Sequence, residues 1–300
     1  MAKAREIKGR LKAVGNIERI TKTMQMIATA RFQATLLAAT QSQTYTRKIA
    51  ELVSDLTAAS ANDSQTNLTH PLLLRPSGTS KELLLVLTSN RGLCGGYNAS
   101  VLRTASAFLR KQSKGGVDIE VVGKKGSAYF KFARTEVSKT HTQFGDKPDY
   151  PQVEQLAEQY IEQFVAGKYD SVSVAYMTFQ SVGRQTPNVL TLLPLSQDSS
   201  QGADAKESLE GQASSTEYEY SPSPTELLKE LLPITVKTSL FQCFNEAVVS
   251  EHIARMVAMK NATDAAGKMN KELTRKFNRA RQAAITTELS EIISGAAALQ

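Results

Sequence analysis

The 300-residue sequence has no tryptophan, only three histidines and only two cysteines, Cys94 and Cys243. Two cysteines so far apart exclude a disulfide scaffold and a zinc ribbon, and they fit a reducing compartment. His70, His141 and His252 are isolated and lack metal-ligand spacing. No apolar run approaches the ~18 residues a membrane-spanning helix needs. The opening residues, Met1-Ala2-Lys3-Ala4-Arg5-Glu6, lack an apolar core and carry an early acid, so no secretory or transit peptide is expected. Aromatic residues make up only 6% of the chain, against 41% apolar residues overall. That composition suits a helix-rich protein of one or two domains better than a sandwich or barrel. Proline is missing before Pro71 and after Pro233, so both ends are free of the strongest helix breaker.

Those ends carry helical stripes. Apolar residues fall at Ile7, Leu11, Val14, Ile17, Ile20, Met24 and Ile27, and continue less regularly to Leu56. Near the other end the stripe runs through Val249, Ile253, Met256, Ala266, Met269, Leu273, Phe277, Ala280 and Ala284. Steps of three and four predict long helices with a narrow seam. A straight helix over Ile234–Gln300 would reach ~100 Å. A compact chain of this length is only ~50 Å across. Two projecting helices wrapped around each other as a coiled coil fit this better than a bundle of shorter helices broken at Gly9, Gly15 or Gly267.

Charge sharpens the division. The net charge of +7 resolves into +6 over Met1–Thr35, +6 over Arg255–Arg281 and −5 over the remainder. One-sided basic helices point to an acidic counterpart. The stretch 196–224 holds six acids against Lys206 and reads as an acidic loop.

Between the ends the pattern is α/β. Lys81–Thr88 reads as a buried parallel strand, followed by a glycine turn and a helix near Ala99–Gln112. Val117–Val122, Ser171–Phe179 and Val189–Leu195 read as further strands, and Pro151–Gly167 as an amphipathic helix. The expected organisation is a coiled-coil helix over 1–60, a Rossmann-like α/β base domain over 61–224, and a second coiled-coil helix over 225–300.

Catalytic chemistry finds little footing. The turn Asn90-Arg91-Gly92-Leu93-Cys94-Gly95-Gly96-Tyr97 follows a strand and precedes a helix, yet lacks G-x-G-x-x-G spacing and a following Gly-Lys-Ser/Thr. Gly123-Lys124-Lys125-Gly126-Ser127 fails likewise. Both read as tight strand-to-helix turns. Cys94 has no histidine nearby in sequence and reads as a small buried thiol. The carboxylates show no acid/base pairing. The chain is expected to be non-catalytic, with no cofactor and no direct nucleotide binding.

Three separated motifs carry a resemblance. They are Ala4–Lys8 with Ile20–Arg31, then Arg91-Gly92-Leu93-Cys94-Gly95-Gly96, then Ser250–Asp264 with Asn278–Leu289. In this order they resemble the γ subunit of F-type ATP synthases along essentially the whole chain. The resemblance implies a rotor. Its terminal helices, paired as an antiparallel coiled coil, would turn inside a ring of α and β subunits, and its α/β domain would stand with ε on a membrane c ring. Ion flow would turn the shaft, which would drive ATP synthesis or hydrolysis on β without catalysing either.

By the same resemblance, Arg281 and Gln282 match positions that meet a catch loop of β, with Thr286 and Glu288 just beyond. Lys22 and Met24 match the N-terminal helix where it meets β. Ile292, Ile293, Ala296 and Leu299 form an apolar end suited either to a pivot in a sleeve or to packing on the N-terminal helix. Tyr218, Glu219 and Tyr220 fall near the c-ring contact. The absence of a cysteine-bearing insertion points to a bacterial, non-photosynthetic enzyme at the cytoplasmic face of the cell (inner) membrane, where the chain would be peripheral. Two other readings remain: a basic coiled-coil nucleic-acid-binding protein, motivated by the same +12, and a dinucleotide enzyme resting on the glycine turn.

Overall fold

The computed structural model describes the chain apart from residues 1, 63–69, 74–80, 112–115, 146, 196–223 and 298–300. The expected acidic loop therefore lies almost wholly outside the described residues. Two compact units result. One comprises residues 31–254, the other residues 1–30 with 255–300. Helices α1 (Ala2–Asn62) and α5 (Pro224–Ala297) each contribute to both.

The larger unit holds a five-stranded sheet of β1 (Glu82–Leu87), β2 (Val117–Val122), β3 (Lys139–His141), β4 (Ser171–Ser181) and β5 (Arg184–Leu193). The strand order is β3-β2-β1-β4-β5. The first four strands run parallel and β5 closes one edge antiparallel to β4. Strand β1 explains the layering. Its side chains alternate faces, and both faces are covered, so its apolar run has no polar alternation.

Leu83, Leu85 and Leu87 pack with Val153, Leu156, Tyr160 and Phe164 of α4 (Tyr150–Val165) and with α5. Leu84 and Val86 pack with Tyr97, Val101 and Ala105 of α2 (Tyr97–Lys111) and Phe130 of α3 (Lys124–Phe132). On α5 the contact row is Leu228, Leu232, Val236, Leu240 and Phe244, a repeat of four that keeps one face on the sheet. Each fully buried leucine or phenylalanine contributes about 1.5–3 kcal/mol. The α/β architecture agrees with expectation. The strand-to-helix turn at Gly123–Ser127 leads into α3, whose extent was not assigned, and the three-residue β3 was not anticipated because it is too short to show a period.

In the smaller unit, α1 and α5 run antiparallel: Thr21 meets Thr263, while Glu18, earlier on α1, meets Asn270, later on α5. Neither helix breaks at Gly9, Gly15 or Gly267. The seam differs from the expected stripe. On α1 the sheltered positions include Ile7, Leu11, Val14, Glu18, Thr21, Gln25 and Ala28, alternating steps of four and three, with Met24 half-buried beside them. Ile17 and Ile20 are 52% and 59% exposed, and Ile27 is exposed as well. The apolar stripe stepped by three too often, so it rotates away from a seam that must average 3.5. On α5 the expected stripe holds at Ala266, Leu273, Phe277, Ala280 and Ala284, which are sheltered, but Met269 is exposed and the seam takes Asn270 beside it.

Candidate functional site

The smaller unit is a narrow helix pair with a polar middle. Asn270 Nδ2 donates to Glu18 Oε2 at 3.2 Å, and the hydroxyls of Thr21 and Thr263 lie 2.9 Å apart. Gly267 sits against this layer, where a Cβ would stand 3.5 Å from Glu18 Oε1. Leu11 and Val14 on one side and Ala28 and Met259 on the other flank it with apolar residues. Paired polar groups at seam positions set register more than they add stability. Sequence reading missed this layer. Its signal was the unbroken four-three spacing through Glu18, Thr21 and Gln25.

The outer face is basic. Arg19 and Lys22 on α1, with Lys260, Lys268, Lys271, Arg275, Lys276, Arg279 and Arg281 on α5, are all exposed. Lys276 pairs with Glu272 at 2.7 Å and holds that carboxyl below its ordinary range, but such exposed pairs contribute little. Arg255, the first α5 residue of the unit, is buried.

The residues singled out from sequence fall as follows. Lys22 is exposed and Met24 half-buried, one helical side apart. Arg281, Gln282, Thr286 and Glu288 are exposed on α5, with the Thr286 hydroxyl donating to its own helix at Gln282 O. Ile292 is 72% exposed, and Ile293 and Ala296 are exposed too. Every described residue from Ile285 onward is exposed. Tyr218, Glu219, Tyr220 and Leu299 lie outside the described residues.

The turn Gly123–Ser127, between β2 and α3, is closed by residues that follow β1. The first amides of α3 are occupied: Lys124 N donates to Asn90 Oδ1, Lys125 N to Ser89 O, and Gly126 N to Thr88 Oγ1. A phosphate would need those same donors. Gly123, at φ +94°, brings the backbone against Thr88 O, and Gly126 leaves no room for a Cβ beside Thr88 and Val121. Cys94 is buried in the other turn, Asn90–Tyr97, its sulfur 3.2 Å from Asn98 Nδ2. It is a packed, hydrogen-bonded thiol.

Two buried carboxylates remain. Glu120 on β2 accepts from Tyr160 OH at 2.8 Å and pairs with His141 Nε2 at 2.6 Å. Burial alone would raise its pKa, but the hydrogen bonds from His141 and Tyr160 outweigh burial and hold it below the ordinary carboxylate value. Glu246 on α5 accepts from Phe179 N at 3.1 Å and Gln242 Nε2 at 2.8 Å. Burial raises its pKa, and those two donors only partly oppose the rise. Near it the Cys243 thiol is pushed up by burial and by Glu246. Both carboxylates are enclosed within the sheet unit. Among the described residues, no cluster of three or more His, Cys, Asp or Glu could hold a metal, and no helix is long and apolar enough to cross a membrane.

Sheet and helix pair together define a class: an α/β domain flanked in sequence by two terminal helices that pair with each other. A family model described as ATP synthase matches residues 3–299. The chain is 41% identical to the ATP synthase gamma chain of Rhodopirellula baltica and 39% identical to that of Leptospira biflexa, each match covering both chains completely. In fold it is similar to chains in the Euglena gracilis mitochondrial ATP synthase rotor, rotational state 1, with a TM-score of 0.60 at 18% identity. That match covers 95% of this chain and 99% of the other. A second, to the Tetrahymena thermophila central stalk and c ring, has a TM-score of 0.56 at 20% identity, covering 81% and 99%. The chain belongs to the ATP synthase gamma-chain family. Membership over the whole length accounts for the α/β domain as well as the basic helices, and the nucleic-acid alternative finds no support in it.

Proposed function

We propose that this chain is the central rotor shaft of an F-type ATP synthase, linking rotation of a membrane c ring to ATP synthesis or hydrolysis on β subunits. Full-length family membership carries this reading, and the paired terminal helices with their basic outer face support it. The chain supplies no reacting group. A shaft acts by contact energy that differs among β conformations, so each orientation favours a different nucleotide affinity.

The residue roles follow from the family resemblance, and the exposure and charge of the described residues support them. Arg281 and Gln282, with Thr286 and Glu288 beyond them, engage a β catch loop, and Lys22 with Met24 engages β from α1. The cations Lys268, Lys271, Arg275, Lys276 and Arg279 face acidic loops of the surrounding ring. Ile292, Ile293, Ala296 and Leu299 turn within an apolar sleeve, where small apolar contacts hold no single angle. The exposure of Ile292 and Ile293 favours the sleeve over packing on α1. Tyr218, Glu219 and Tyr220 meet the c ring. The complex sits at the inner membrane of a bacterium, with α, β and ε as further partners and this chain peripheral on the cytoplasmic side.

Co-expression with α and β subunits tests the reading. The tagged chain is expected to bring both along and to hydrolyse no ATP by itself. Rapid turnover by the chain alone, or failure to retain α and β, overturns it. Within the assembled complex, Arg281→Ala and Gln282→Ala are expected to lower coupled synthesis without changing expression of the chain.

A further inference from the structure

The sheet runs out of strands at one place, and α5 fills the gap with side chains. Strand β4 pairs with β1 only as far as Ala175, but continues against β5 to Ser181. Past Ala175 one edge of β4 has no strand beside it among the described residues. Two backbone groups on that stretch are taken up by α5. Phe179 N donates to Glu246 Oε2 at 3.1 Å, and Met177 O accepts from Ser250 Oγ at 3.4 Å.

The register explains why those groups are available. Met177 lies opposite Pro187 and Phe179 opposite Gln185, positions of the same parity. Proline has no N–H to donate, so this parity points its main-chain groups away from β5 and toward the missing strand. Glu246 and Ser250 are one helical turn apart and so face the same way. The grip is buried: Glu246 is 7% exposed and Ser250 1%. Gln242, a turn earlier, donates to the other Glu246 oxygen and fixes the carboxylate.

We infer that Glu246, backed by Gln242 and Ser250, is a positioning residue for mechanical coupling, fastening α5 to the β4 backbone so that load on the sheet is taken up by the helix. Apolar packing along α5 resists separation, but apolar surfaces slide, because their energy depends on area and not on direction. A hydrogen bond to a backbone amide is directional. Two such bonds a turn apart oppose both sliding and rotation of the helix. The inference rests on the rotor reading, in which α5 bears torque.

The test uses the chain assembled with its α, β, ε and c partners. Two readouts are taken: hydrogen exchange at the Phe179 amide, and protons pumped per ATP hydrolysed. Glu246→Ala is expected to speed Phe179 exchange about tenfold and to lower the pumping ratio while hydrolysis continues. Glu246→Gln, which keeps an acceptor for Phe179 N, is expected to restore both. Glu246→Asp, one methylene short, should fall between them and carries the test if the alanine variant fails to assemble. A pumping ratio unchanged in the alanine and aspartate variants, or unchanged Phe179 exchange, overturns the inference. Failure of the unaltered chain to assemble with α and β would overturn the rotor reading instead.

Discussion

The hydroxyls of Thr21 and Thr263, 242 positions apart in sequence, lie 2.9 Å from each other in the seam of the helix pair. Each also reaches a carbonyl of its own helix, Thr21 at Glu18 O and Thr263 at Met259 O. Two protons thus serve three contacts, and the pair sets register where apolar seam residues would tolerate slippage.

A double-mutant cycle at this pair is the first prediction. Thr21→Val or Thr263→Val alone leaves a hydroxyl still satisfied within its helix, so each should change stability by less than about 1 kcal/mol. The double variant removes both partners and buries two methyl groups, and is expected to unfold at higher urea than either single variant. A double variant less stable than both singles would contradict this.

Glycines in the two units should respond oppositely. At Gly267 a Cβ meets Glu18 Oε1 at 3.5 Å, an ordinary contact, so Gly267→Ala should stabilise by about 0.5–1 kcal/mol. At Gly126 a Cβ would lie 2.7 Å from Thr88 Oγ1 and Val121 Cγ1, both held in the sheet. Gly126→Ala should destabilise by about 1–3 kcal/mol. Urea midpoints of the two variants check both signs.

Glu246 contributes a pH dependence with a definite sign. Its folded pKa is raised, so the group supports stability below the ordinary glutamate value near ~4.3 and loses that support as pH rises through its raised value. Glu246→Gln is therefore expected to match the parent in acid and exceed it at neutral pH. Its amide can donate to Gln242 Oε1, which has no partner among the described residues, once the Gln242 amide flips. Glu246→Ala strands Phe179 N and should cost about 1–3 kcal/mol. Melting temperatures across pH 4–8 distinguish the three.

Glu120 acts in the opposite direction. Its folded pKa is depressed, so its contribution is present above the ordinary glutamate value and is lost as pH falls through the folded one. Glu120→Gln should flatten the acid limb of the stability profile. An acid limb identical to the parent's would exclude Glu120 as its source.

Much of the fold was legible because its signals are local. The unbroken apolar run at Leu83–Leu87, bounded by turn residues, reads as a strand covered on both faces, and the striped, proline-free ends read as long helices. The seam was not legible in its middle. Ile17 and Ile20 are apolar and were read as inward, yet the geometry of two paired helices places Glu18 and Thr21 there instead. Apolar residues on a shaft have a second use, as surface for partners, and composition cannot separate the two uses. The turn before α3 reads as structural in the sequence, although the acceptors that close it, Asn90, Ser89 and Thr88, could be assigned only from the folded chain. Glu246 carried no sequence signal at all: one glutamate on a helix face resembles any other until the strand it grips is known.

Sequence alone determined the α/β middle, the two long terminal helices and the concentration of +12 on them, because period, proline and charge are properties of neighbouring residues. Tertiary structure decided which side of each helix turns inward, which backbone amides are already occupied, and which carboxylates are buried. Those depend on residues hundreds of positions apart meeting at a few ångströms, as Thr21 meets Thr263 and Phe179 meets Glu246.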